Sequence, residues 1–425
     1  MLVFISDLHF TDGTAGEHNL NPRAFDYFFD DLEGILRDER NRIRELCLVF
    51  LGDIFDLLRT TNWFGYPERE RPWGKDLTAM EVHARTIFDL ILGHARNRES
   101  LAKIRDRLAA LRPRLSRLEV LYLPGNHDRL VNLSRPLREK ARQALGLTQD
   151  PTSPFPHQLS FPEYGVFARH GHEYDYYNYE GGPAMTEADY AKVPIGDPIT
   201  TELISRLPFE LSRRLQLPGP DKDRLVRNFQ DIDNVRPLSA VVEWLLYQVE
   251  QQPAWLKELI EEVVDEVIRA FYRLEFVKDW FQHHDKWLDP FDKADQIQMA
   301  LFILEKFKVF SLDKLWSLAS RAKGAFVRDD LLAAAPREEV LRDPTYRYVV
   351  YGHTHDPLVV PLRRRFQQEQ LYLNTGTWRA RHTKSQMDAS FVSWKNMTYV
   401  IFFRPQERPG RQALFETWTG TLKEA

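Results

Sequence analysis

Asp7-Leu8-His9, Gly52-Asp53-Ile54-Phe55-Asp56, Gly125-Asn126-His127-Asp128, His170-Gly171-His172 and Gly352-His353-Thr354-His355 gather carboxylate, amide and imidazole groups into five short strings. Asp7, His9, Asp53, Asn126, His170, His353 and His355 together make a mixed nitrogen and oxygen donor set without thiolate. Such a set suits Mn, Fe, Zn, Co or Ni better than Ca or Mg. It holds more donors than one tetrahedral ion with an open position accepts, and it matches two ions sharing one carboxylate. Within the fourth string His172 competes with His170 for the ligand place.

Each string closes a short apolar run: LVFIS, LCLVFL, VLYLP, GVFA and RYVVY. Runs of this kind, with little polar alternation, suit strands covered on both faces. The strings then fall at the carboxyl ends of strands, where open α/β sheets place their ligands. In a strand or its immediate extension, residues two apart point the same way. Asp7 with His9, and His353 with His355, are therefore expected to project in pairs. Gly52, Gly125 and Gly352 fit tight turns that let backbone approach the site.

The elements that must position these strings come in three blocks. Residues 1–56 read as strand, loop, helix, strand, with Phe25, Phe28, Phe29, Leu32, Ile35 and Leu36 at helical spacing. Residues 57–75, rich in Pro, Gly, Trp and charge, read as a surface loop. Helical patterns follow over 76–95 and 98–118, before a strand at 119–123. The long interval between His172 and Gly352 opens with DYYNYEGGPAM, passes a Pro-rich stretch at 193–220 and turns helical. Trp255 to Phe271 keeps the i, i+3, i+4 rule over several turns, and 238–250 and 297–320 keep it more weakly. An all-helical insertion over 185–335 is expected, with Trp244, Trp280, Trp287 and Trp316 in its core. Strand patterns return as PLVVPL, QLYLNTG, SFVSWKN, TYVIFF and ALFETWTG. The division is a core in two parts, 1–184 and 336–425, around an insertion or cap at 185–335, in the α/β class.

The 425 residues suffice for a substantial core and more than one domain. A formal net charge of −4 gives no general support for a nucleic-acid partner. The lone cysteine, Cys47, lies in an apolar run and reads as a buried structural residue. Neither a signal peptide nor an apolar run near the ~20 residues of a membrane span is found, so the cytoplasm is the expected location.

The ordered strings DLH, GDIFD, GNHD, HGH and GHTH resemble the signature of the calcineurin-like metallophosphoesterase superfamily. The resemblance covers about 1–56, 119–175 and 346–418 and leaves the helical insertion outside it. It implies a four-layer αββα sandwich of two mixed sheets, with the cap inserted between the fourth and fifth strings. It also implies two divalent ions, manganese among the candidates. Asp7, His9 and His355 would hold the first and Asn126, His170 and His353 the second, with Asp53 as the bridge. The family's usual use of the first histidine in this string selects His170 over His172. His127 resembles the catalytic histidine beside the leaving group, and Asp56 the carboxylate that orients it.

The implied activity is hydrolysis of a phosphomonoester or phosphodiester by in-line attack of a hydroxide held between the two ions. A phosphorylated substrate is the implied partner, and the oligomeric state stays open. Arg129, Arg379 and Arg381, close after the GNHD and NTGTW strings, are candidates for gripping substrate phosphate. Leu57 and Leu58 stand where the protein serine/threonine phosphatases extend the second string with arginine and glycine. His127 stands where the lipid A pathway pyrophosphatases carry arginine. Both branches are disfavoured. The alternatives are a DNA or RNA nuclease using the same centre, or a noncatalytic scaffold like the retromer subunit built on this fold.

Overall fold

In a computed structural model, residues 1–237, 240–284, 297–298, 300–301, 330–365, 368–410 and 414–421 are described. The strands are β1 (Leu2–Ile5), β2 (Glu45–Leu51), β3 (Arg117–Leu123), β4 (Gln158–Phe161), β5 (Val166–Arg169) and β6 (Tyr348–Tyr351). They continue with β7 (Pro357–Arg365), β8 (Gln368–Thr375), β9 (Ala380–Lys384), β10 (Phe391–Phe402) and β11 (Phe415–Thr421).

Two mixed sheets result, so the class is α/β. The first runs β11-β10-β1-β2-β3, with β9 also on β10; β1, β2 and β3 are parallel, and the β10 pairings are antiparallel. The second runs β4-β5-β6-β8-β7, parallel through β5, β6 and β8 and antiparallel at both edges. Val3, Ile5, Leu48 and Phe50 pack with helices α1 (Arg23–Arg37), α2 (Leu77–Gly93), α3 (Ala95–Leu111) and α4 (Arg135–Leu145). Their neighbours Leu2, Phe4, Val49 and Leu51 join Val166, Ala168, Val350 and Leu373 of the second sheet. Both faces of these strands are covered, which is why their sequences do not alternate. The other face of the second sheet packs Val349, Tyr351 and Tyr372 against Leu331, Ala335 and Leu341.

Between Thr186 and His284 the described residues form no strand. Helices Gly219–Gln230, Val241–Glu250, Ala254–Arg273 and Glu275–His284 share a second apolar cluster around Phe229, Ile260, Val264 and Phe271. Trp244 and Trp280 are buried in it; Trp287, Trp316 and most of the pattern at 297–320 lie outside the described residues. Cys47 is buried, and burial pushes its thiol up to about 12. No helix among the described residues is long and apolar enough to cross a membrane.

Several sequence expectations need correction. SFVSWKN and TYVIFF are one strand, β10, whose outer half pairs with β9 and inner half with β11. Strands β4 and β9 were not expected, because QLSF and ARHTK are largely polar. The Pro-rich stretch agrees with the helical expectation for 185–335: it holds a π-helix, Ile199–Ser205, running into an α-helix, Arg206–Arg214. Pro198 and Pro208 are absorbed in these turns, and Glu202 of the π-helix is buried beside Arg71 at 2.6 Å.

The segment 57–75 is not a surface loop. Trp63 is fully buried in the core and donates from Nε1 to the Leu57 carbonyl at 2.7 Å, while Trp73 joins the insertion's cluster. The tryptophans that read as loop punctuation tie the two clusters together. Trp63→Ala should therefore cost about 3–5 kcal/mol, against less than about 0.5 kcal/mol for a surface loop residue. Urea unfolding of the variant checks this.

Candidate metal centre

The chain leaves β1, β2, β3, β5 and β6 at one edge shared by both sheets, and every expected ligand follows one of these exits. The pairs do not arise from strand alternation. Asp7, His9, Asp53, His353 and His355 all sit at positive φ, between 47° and 69°. That region is uncommon for any residue other than Gly, even for Asn, Asp and His, which enter it most often, so all five positions carry strain that the surroundings must offset. Backbone hydrogen bonds between the loops hold them. Asp7 and His9 donate to the carbonyls of Gly52 and Asp53 at 3.1 and 2.9 Å, and Asp56 donates to Phe10 at 2.9 Å. The Gly352 N–H reaches the His170 carbonyl at 2.9 Å.

These loops gather the donors into two linked groups. His9 Nε2 lies 3.0 Å from His355 Nε2 and 3.9 Å from Asp7 Oδ1, and Asp7 Oδ1 lies 3.4 Å from His355 Nε2. Asp53, His170 and His353 form the second group, each offering a donor atom within 4.8 Å of the others. Asp53 joins the two. Its Oδ2 is 3.8 Å from His9 Nε2 and 3.2 Å from His170 Nε2, while its Oδ1 accepts the His127 backbone N–H at 2.9 Å.

Asp7 Oδ1, Asn126 Oδ1, His170 Nε2 and His353 Nδ1 are buried without a hydrogen-bond partner among the described residues. Such groups are costly unless something coordinates them. They belong to four different strings, and oxygen and imidazole donors at the separations of the two groups fit divalent transition ions. The residues present therefore fit two ions, with Asp53 between them.

The opposite edge of each ligand is tied. His170 Nδ1 donates to the Leu51 carbonyl at 2.8 Å, leaving Nε2 for a metal. His353 Nε2 donates to Asp175 Oδ2 at 2.9 Å, leaving Nδ1. Asn178 donates to the same carboxylate at 2.7 Å and accepts from Asn126 Nδ2 at 3.1 Å, so Asn126 turns its oxygen inward. His9 and His127 both place Nδ1 on Asp56, at 3.2 and 3.0 Å. Asp128 accepts from the backbone N–H groups of Gly125 and Ile54, clamping the third string to the second. Partners of this kind fix tautomer and ring orientation.

Two glycines make the approach possible. At Gly52 (φ 82°) a Cβ would meet His170 Nδ1 at 2.4 Å, and at Gly125 one would meet Asp53 Oδ1 at 2.3 Å.

The electrostatics follow from burial set against opposite charge. Burial opposes ionisation of Asp53, yet His170 and His127 hold its carboxyl well below the usual range. Burial lowers His127, but Asp56 and Asp53 outweigh it and raise the imidazole to about 9. Asp53 likewise raises His170 to about 10 against burial. His172 differs: burial drops it to about 3, and it packs against Tyr179 and Tyr190. It is His170 that the fold brings to Asp53.

The three candidate phosphate-gripping arginines are bound elsewhere. Arg129 Nε pairs with Asp197 at 2.8 Å, and Arg379 donates to Asp233 at 2.9 Å and Asn234 at 2.6 Å. Arg381 donates to the His355 carbonyl at 2.8 Å and pairs with Asp356. Asp197, Asp233 and Asn234 lie within 185–335, the stretch expected from sequence to be an insertion, so Arg129 and Arg379 tie that stretch to the loops after β3 and β8. Sequence reading missed Asp175, Asn178, Asp233 and Arg236. The only signal was the Asp175–Asn178 pair directly behind the fourth string.

No family model and no curated protein matches this chain.

A chelator-stripped sample carries a pH signature of these charges. His127 and His170 are raised in the folded chain to about 9 and about 10, above the ordinary ~6.5 of an unfolded histidine. A raised group stabilises fully below its unfolded value and loses that contribution as pH climbs through its folded value. Stability of the stripped protein should therefore fall between pH ~6.5 and ~10. His127→Ala should flatten part of that slope in pH-dependent thermal unfolding.

Proposed function

We propose that the chain is a dinuclear metal-dependent phosphoesterase of the calcineurin-like metallophosphoesterase superfamily. One observation carries the reading: Asp53 Oδ2 lies between two groups of donors, and Asp7 Oδ1, Asn126 Oδ1, His170 Nε2 and His353 Nδ1 around it are buried with no hydrogen-bond partner among the described residues. The same reading takes the two sheets as inner layers of a four-layer αββα sandwich and the helices of 185–335 as a cap. The apolar cluster shared by the two sheets supports it, as do the helices packed beyond the first.

The two ions, when bound by Asp7, His9, His355, Asn126, His170 and His353 with Asp53 between, supply positive charge for phosphoryl oxygens and acidify a nearby water. The chain's own residues do the rest. Asp53 divides its oxygens, so the loop that carries Asn126 and His127 is set by the same carboxylate that joins the two groups. His127 is fixed on both sides: its N–H is on Asp53 and its Nδ1 on Asp56. With Nδ1 on Asp56, Nε2 is the nitrogen left for substrate, on a side chain that keeps 13% exposure. In the metal-free chain Asp56 and Asp53 raise that ring to about 9 against its burial, and Asp56 remains on Nδ1 to hold the proton of the charged form. A protonated imidazole so held donates its Nε2 proton to the departing oxygen of a phosphoester. Asp56 also holds His9, so one buried carboxylate aligns a ligand and the proton donor.

Manganese-reconstituted protein should hydrolyse nitrophenyl phosphoesters. His127→Ala should keep two ions per chain by elemental analysis and lose about 10²–10⁴-fold in kcat. Absence of hydrolysis with any transition ion contradicts the function, and full activity in the variant contradicts the role of His127.

A further inference from the structure

Arg236 lies in the insertion, yet its guanidinium reaches the first donor group. Its Nη2 is 2.7 Å from His355 Nδ1 and 3.3 Å from His355 Nε2, the nitrogen that also faces His9 and Asp7. The head is fixed. Nη1 donates to the carbonyls of Asp233 and Val235 at 2.7 and 2.9 Å, and the Arg236 N–H donates to His382 on β9 at 2.9 Å. The side chain is buried and hydrogen-bonds no carboxylate among the described residues; Asp233, the nearest in sequence, accepts from Arg59 and Arg379 instead.

Two considerations give this guanidinium a ligand. A cation bound at His355 Nε2 leaves the ring proton on Nδ1, where it opposes the Nη2 N–H. Nη2 then needs another acceptor, and the carbonyls on Nη1 prevent the head from withdrawing. A fixed guanidinium beside a cation also repels it unless an anion lies between them. A phosphoryl oxygen satisfies both demands, and guanidinium is the side chain best suited to bind one.

We infer that Arg236 holds a phosphoryl oxygen of the substrate at the centre and makes phosphomonoesters the preferred class. The inference rests on the phosphoesterase reading above. Its chemistry is a count of oxygens. A monoester carries three non-bridging oxygens, enough for two ions and Arg236. A diester carries two, so an ester that fills both ions offers Arg236 only an oxygen already shared with an ion, a weaker acceptor than the monoester's third oxygen. The preference therefore originates in the insertion and not in the five strings.

The test compares wild type, Arg236→Gln and Arg236→Lys, each loaded with manganese, on nitrophenyl phosphate and bis-nitrophenyl phosphate. Calorimetry with inorganic phosphate and elemental analysis accompany the assays. Asp233 keeps Arg59 and Arg379 in both variants, so no buried carboxylate is stranded. Arg236→Lys retains the charge should the glutamine variant fold poorly.

Wild type should favour the monoester. Arg236→Gln should keep two ions, weaken phosphate binding by about tenfold or more and lower monoester kcat/KM to match, while diester turnover changes less than about threefold. Arg236→Lys should fall between. Unchanged phosphate affinity, equal losses on both esters or a wild-type preference for the diester overturns the inference and leaves the phosphoesterase reading standing. Loss of an ion from Arg236→Gln overturns it too, by making the arginine a support for His355. Wild type that neither binds phosphate nor cleaves either ester removes both.

Discussion

The centre depends on how Asp53 divides its two oxygens. One receives the backbone N–H of His127 and fixes the third string; the other lies between His9 and His170 and joins the two donor groups. The carboxylate is buried, and the imidazoles around it, His170 and His127 foremost, keep it charged. The arrangement is coherent because each imidazole has its second nitrogen tied elsewhere: His9 to Asp56, His170 to the Leu51 carbonyl and His353 to Asp175.

Holding that geometry strains the backbone at five ligand positions, and both sheets contribute to offsetting the strain. Loops from β1 and β2 brace each other through paired backbone hydrogen bonds, and a single one, from the Gly352 N–H to the His170 carbonyl, joins the loops after β5 and β6. The insertion adds a third support. Asp233 and Asp197 draw Arg59, Arg379 and Arg129 out of the core loops, and Trp73 reaches from the core segment into the insertion's apolar cluster. Breaking one partner of such buried pairs leaves an uncompensated charge, so the insertion is bound to the core by electrostatics as well as by packing.

The parts of this architecture that are local in sequence were legible there. Strands β1, β2, β3, β5 and β6 announce themselves as apolar runs covered on both faces, and the ligand strings follow directly. What could not be read is non-local. Alternation suggested how Asp7 and His9 come to face one way, but they do so through positive φ, which no residue type in DLH advertises. Arg129, Arg379 and Arg381 looked free because their partners lie in the insertion or, for Arg381, in the loop after β6. Segment 57–75 looked like a loop because Pro, Gly and charge outweighed two tryptophans whose burial depends on surfaces far away in the chain. Strands β4 and β9 are polar and form because a neighbouring strand offers them an edge.

Anomalous diffraction from crystals grown with manganese tests the central claim most directly. The account predicts two peaks about 3.5–4 Å apart, one on each side of Asp53 Oδ2. The first should be ligated by Asp7, His9 and His355, the second by Asn126, His170 and His353. A single peak, or two peaks that Asp53 does not join, would contradict it.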